Sequence, residues 1–146
     1  MATVIGPDQF EDSLKKVIMM YGQNCASVTF QIVQDTAEES KEKLKTTNWG
    51  WTKHTGQYQN SFRVEFRKTT GSWRGASAKI YAAAPHYRRT HLLENGHKNP
   101  KAGTGKKPRL GAKKETKPFK HWSKVEQYAI KELEERLLQG LLDVTA

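Results

Sequence analysis

Between residues 97 and 118 the chain offers almost nothing that a folded core could bury. This segment, HKNPKAGTGKKPRLGAKKETKP, carries Lys98, Lys101, Lys106, Lys107, Arg109, Lys113, Lys114 and Lys117 against Glu115 alone. Gly103, Gly105, Pro108 and Gly111 keep the backbone irregular. Residues 97–118 therefore read as a long basic loop that only a partner would order. Whatever core the chain builds must come from the residues on either side.

Those residues are periodic. Asp8 is placed to cap a first helix in which Phe10, Leu14, Val17, Ile18 and Tyr21 recur on one face, and Gly22-Gln23-Asn24 is expected to end it. A second helix is predicted from about residue 26 to residue 45, with Val28, Ile32, Val33, Thr36, Ala37, Ser40 and Leu44 on a stripe and the mixed-charge run EESKEKLK on its solvated side. TTNWGWTKHTGQYQ reads as a loop. SFRVEFRK then alternates, with Phe62, Val64 and Phe66 opposite Arg63, Glu65 and Arg67, as a half-buried strand does. With the turn residues of TTGSWRGAS and the run AKIYAAA, it predicts a hairpin over residues 61–83, closed by Pro85. Residues 90–95 suit one short helical turn capped by Thr90 and stopped by Gly96, whose lack of a Cβ permits a left-handed backbone. The last helix is expected from His121 to about Leu142, with Trp122, Val125, Ala129, Leu133, Leu137 and Leu141 as its apolar stripe. The predicted fold class is α+β: two N-terminal helices, a β-hairpin or small antiparallel sheet with a long basic loop, and a C-terminal helix. All of it lies in one domain over residues 1–146.

Charge narrows the function classes. The chain holds 25 Lys and Arg against 15 Asp and Glu, a formal +10, which favours a polyanionic neighbour: DNA, RNA, an anionic membrane surface or an acidic protein face. The lone Cys25 excludes an internal disulfide and a cysteine-based zinc cluster, and suits a reduced cytoplasm. No apolar run reaches the roughly 20 residues of a membrane span, and MATVIGPDQFEDSLKK lacks the basic start and apolar centre of a signal peptide. The expectation is a protein of the cytoplasm, or of something assembled there.

The histidines invite a test for chemistry. His86, His91 and His97 with Glu94 form the one candidate metal cluster, but their spacings of five and six do not share a helical face, and Gly96 intervenes before His97. A nuclease of the His-Asn-His type would use His91, His97 and Asn99, yet further paired ligand positions are missing downstream. Neither Cys25 nor any serine sits in an activating motif, and GTGKK lacks the spacing and the leading strand of a phosphate loop. No catalytic residue, metal ligand or cofactor is predicted. The lysine-rich segment is the better candidate: eight cations would grip phosphates by counterion release without reading sequence, and no aromatic residue between Tyr87 and Phe119 offers base stacking.

Three pieces occur in a telling order: HTGQYQNSFRVEF leading into a strand, APHYRRTHLLENGHKN after a second strand, and KPFKHWSKVEQYAIKELEERL opening the last helix. Together they resemble the tail-component family of long-tailed bacteriophages, small proteins of the head–tail neck. Thr55, Gly56, Tyr58 and Ser61 match the first motif of that family, Tyr87, Leu92, Leu93, Glu94, Gly96 and His97 the second, and Pro118, Phe119 and Trp122 the third. The match spans residues 55–138, and it departs where the family's Arg-Pro at the last helix start is here Lys120-His121-Trp122. The resemblance implies a non-enzymatic virion protein assembled in the host bacterial cytoplasm: a homo-oligomeric ring, with six copies expected, between head-closure and tail-terminator or tail-tube proteins and around packaged double-stranded DNA. On that view the mixed-charge helix and the basic loop are the docking surfaces, and Phe119 and Trp122 pin the last helix onto the hairpin. The competing expectation is a stand-alone, sequence-independent nucleic-acid binder.

Overall fold

The computed structural model describes residues 7–50, 56–69, 75–98 and 115–145. Its architecture is α+β. A single 40-residue helix, α1 (Pro7–Thr46), replaces the two predicted N-terminal helices. Gly22-Gln23-Asn24 does not break it, and the physical reason is phase. The apolar positions Tyr21, Cys25, Val28 and Ile32 follow one another at helical spacing straight through the tripeptide. No proline removes a backbone donor there, and a glycine in a helix costs only about 1 kcal/mol.

A one-turn helix, α2 (Gln57–Asn60), starts near the end of the predicted 46–59 loop and leads into the hairpin of β1 (Phe62–Thr69) and β2 (Gly75–Ala82). The antiparallel register runs from Phe62 opposite Ala82 to Thr69 opposite Gly75. Alternation decides the faces as expected. Phe62, Val64, Phe66, Ala78, Ile80 and Ala82 turn inward, and Arg63, Glu65, Arg67, Ser77, Lys79 and Tyr81 are exposed. After the cis Ala84–Pro85 peptide the chain enters α3 (Tyr87–Asn95), which starts three residues before the predicted turn. Thr90 is not its cap: its hydroxyl is hydrogen-bonded to Tyr58, and His86 holds the N-cap position.

The basic segment is anchored at both ends. His97–Lys98 (β3) and Glu115–Thr116 (β4) form a two-residue antiparallel ladder, His97 opposite Thr116 and Lys98 opposite Glu115, where an irregular loop was expected. Backbone hydrogen bonds need no apolar side chains, so composition did not announce this pairing. The predicted loop's residues 99–114 lie outside the described residues. The C-terminal helix, α4 (His121–Thr145), runs three residues past its expected end.

α4 packs antiparallel along the C-terminal two thirds of α1, Val125 sharing a cluster with Leu44 and Gly140 meeting Val28 and Ile32. The core sits at the opposite end from Gly140: Leu44, Tyr58, Phe62, Ala82 and Val125, extended by Trp49, Ile80, Leu93 and Trp122. Trp49 caps α1 there, its indole N–H donating to the Leu44 carbonyl at 3.1 Å. Among the described residues no helix is long and apolar enough to cross a membrane.

Candidate functional site

The three sequence motifs converge on one buried junction. Tyr58, delivered by α2, has its phenol oxygen 2.9 Å from His121 Nε2, 3.1 Å from the Trp122 indole nitrogen and 3.2 Å from Thr90 Oγ1. One atom thus ties α2 to α3 and α4. Rings enclose it: Tyr58 meets Phe62 edge-on at 5.0 Å between centroids, and Phe62 meets Trp122 edge-on at 5.4 Å. Ser61 closes the bottom, its hydroxyl donating to the Tyr58 carbonyl at 2.6 Å while its own carbonyl accepts the Ala83 N–H at 2.9 Å.

Glu94 performs a second task from the end of α3. Its carboxylate accepts the backbone N–H groups of Trp122 and Ser123, each at 3.0 Å, and the Ser123 hydroxyl. These are donors of the first turn of α4, which has no intrahelical partners for them. The N-cap position belongs to Lys120, with φ at 54°, and a lysine cannot accept a hydrogen bond. The carboxylate from another helix takes over the capping role and meets the positive end of the α4 dipole.

The same carboxylate holds His121, whose Nδ1 lies 3.2 Å from Glu94 Oε2. The imidazole thus sits between the Glu94 carboxylate on its Nδ1 side and the Tyr58 phenol oxygen on its Nε2 side, and the tautomer sets the direction of the Tyr58 bond. His121 is completely buried. That burial pushes its pKa down to about 4, outweighing the upward pull of Glu94. Burial also acts to raise Glu94, but its hydrogen bonds from Ser123 and Trp122, with His121 nearby, hold it below the ordinary carboxylate range. Burial raises the Tyr58 phenol against the opposing bonds from Thr90 and Trp122. With His121 and Tyr58 withdrawn from solvent, Glu94, His121 and Tyr58 together tie α2, α3 and α4 at one buried point.

The motif residues divide accordingly. Tyr58, Ser61, Leu93, Glu94 and Trp122 form this junction; Phe119 joins it through its backbone N–H, which donates to the Leu93 carbonyl at 2.9 Å. Gly56 stands at the N-cap of α2, and Gly96 ends α3 with φ 71° and ψ 172°. This is an extended positive-φ conformation, not the left-handed helical one expected, and glycine alone adopts it cheaply. Tyr87 and Leu92 are about half exposed and stay out of the core; the His97 backbone pairs in β3, and Pro118 is exposed. Thr55 lies outside the described residues. Sequence reasoning missed His121, although its position in Lys120-His121-Trp122, where the family pattern is broken, was the available signal.

The two expected docking surfaces fare differently. Along α1, Glu38 pairs with Lys41 and Glu42 with Lys45 on the same helix, and Glu39 reaches Arg136 of α4 at 2.6 Å, with all three glutamates still partly exposed. Of the basic segment, Lys117 is exposed and Lys98 is placed in β3; Lys101, Lys106, Lys107, Arg109, Lys113 and Lys114 lie outside the described residues. Among the described residues no three His, Cys, Asp or Glu side chains come together as a metal site.

Among the described residues a long apolar stripe stands exposed. The α1 stripe continues for about three turns beyond the end of α4, where Phe10 (62%), Leu14 (47%), Val17 (63%), Ile18 (61%) and Tyr21 (48%) stand exposed. No family model, curated protein or solved structure matches the chain.

Proposed function

We propose that this chain is a structural protein of a phage neck, a tail-completion or head–tail joining component that assembles as a homo-oligomeric ring and docks the tail to the DNA-filled head. The observation that carries the assembly reading is the exposed stripe of α1. Five large apolar side chains at helical spacing stand exposed together on one face, and a contiguous exposed apolar face marks an interaction surface on a protein in water. The motif residues support it from the other side, because they brace the monomer and leave the outer surfaces to carry function. The neck assignment rests on the resemblance of those motifs, and six copies, flanking head-closure and tail-terminator or tail-tube proteins, and contact with packaged DNA belong to the same proposal.

Deleting the gene from its phage and imaging the lysate tests the reading. Filled heads lying apart from tails, or tails with a defective upper end, are expected; intact infectious particles would overturn it. The competing reading, a stand-alone nucleic-acid binder, draws on the eight cations of residues 97–118. It predicts DNA affinity in free solution with a log–log salt slope of up to about −7 if all eight meet phosphates.

A further inference from the structure

Among the described residues, one face of the molecule carries a groove. It has a volume of about 650 Å³ and lies between α1 from Val33 to Leu44, α4 from Trp122 to Leu133 and β2 from Ala76 to Ile80, with the buried Thr36, Ala37, Leu44 and Val125 as its floor. Among its described lining residues only Lys79 and Glu126 bring charge, and these do not form the convergent polar set that orients a small ligand. Thr36, buried in its lining, has a hydroxyl with no hydrogen-bond partner among the described residues.

We propose that this groove receives the exposed N-terminal arm of α1, residues 10–21, from a second copy of the chain. The inference builds on the self-assembly reading above and specifies its contact. The dimensions agree. At 1.5 Å per residue the arm is about 18 Å long, and each helical wall of the groove is about 17 Å. The chemistry agrees as well, since a row of Phe10, Leu14, Val17 and Ile18 is what an apolar trough with few polar groups can accommodate.

The arm cannot reach its own groove. Ile18 and Ala37 lie on one continuous helix, about 28 Å apart along its axis. Donor and acceptor surfaces are therefore different patches of one molecule, and pairing them is a heterologous contact. Such contacts propagate head to tail, closing into a ring when the rotation divides the circle and running into a filament when it does not. Arm against arm would instead be a self-complementary contact, would stop at a dimer and would leave the groove empty. Closure also gives every subunit two contacts, so a modest single interface suffices for a stable ring.

The test uses the full chain carrying Cys25→Ser. Ile18→Cys and Ala129→Cys proteins are prepared separately, mixed, and treated with a short bis-maleimide, with size measured by mass photometry and gel. The expected result is concentration-dependent multimers, a covalent pair formed only in the mixture, and at least a tenfold weaker association for Ile18→Asp with unchanged melting temperature. Ile18 is 61% exposed, so that charge should not unfold the monomer. Multimers that cross-link Ile18→Cys to itself, or that form without the mixed pair, overturn the arm-in-groove contact and leave self-assembly standing. A chain that stays monomeric and uncross-linked also overturns the contact; the neck reading is then decided separately by the deletion phenotype.

Discussion

Replacing Glu94 with glutamine keeps the size of the side chain and removes its charge, which isolates the capping role. In the native chain both carboxylate oxygens are engaged, one by the Trp122 N–H at 3.0 Å, the other by the Ser123 N–H at 3.0 Å and the Ser123 hydroxyl. The glutamine amide offers one acceptor, and its NH₂ must face one of those donors. Hydrogen bonds to a charged group contribute about 1.5–3 kcal/mol, and a negative charge at a helix N-terminus about 0.3–1 kcal/mol. Because Glu94 keeps some exposure, 14% of its side chain, the expected loss is about 2–3 kcal/mol, within both ranges combined. At roughly 4 °C per kcal/mol for a chain of this size, the melting temperature falls by about 10 °C. Urea unfolding followed by tryptophan fluorescence measures the free-energy loss, since Trp49 and Trp122 both border the core. The midpoint should drop with the slope unchanged. Ser123→Ala alone costs less, and the double variant loses less than the sum, because both changes act on one network. A Glu94→Gln protein within about 0.5 kcal/mol of the parent, the range of an ordinary surface change, would refute the capping argument.

Acid should weaken the same junction in two steps. The unfolded chain protonates His121 near 6.5 and the folded chain only near 4, so stability falls as pH drops through that window. The depressed carboxyl of Glu94 contributes above its ordinary value of about 4.5 and is lost as pH falls further through its folded value. Urea midpoints at pH 7, 5.5 and 4.5 check this; a flat profile contradicts it. Gly96→Ala places a side chain at φ 71°, ψ 172° and should cost about 1–3 kcal/mol in the same assay. Gly140 lets α4 approach α1, for a Cβ there would lie 2.6 Å from Ile32 Cδ1 and 3.1 Å from Val28 Cγ1. Gly140→Leu is expected to cost about 1–3 kcal/mol by overpacking, read as a lower thermal midpoint.

Much was legible because it depends on local pattern. The hairpin faces follow from two-residue alternation in SFRVEFRK, and the α4 stripe from three- and four-residue spacing, both properties of neighbouring residues. The basic character of residues 97–118 is likewise a matter of composition. Other features depend on which distant segments meet. Whether Gly22 breaks a helix or rides within one is settled by a fraction of the energy that packing and phase supply, so the single α1 emerged only with the structure. Glu94 looks like one more acidic residue until α4 presents its unpaired N–H groups 28 and 29 residues away. His121, adjacent to a motif but matching none, acquires its role from Tyr58, 63 residues earlier. The free arm of α1 is the clearest case: its stripe is plain in the sequence, but only the length of α4, which stops short of it, decides that the stripe is left uncovered. Periodicity determines which side chains need cover; the tertiary arrangement determines which of them receive it from their own chain.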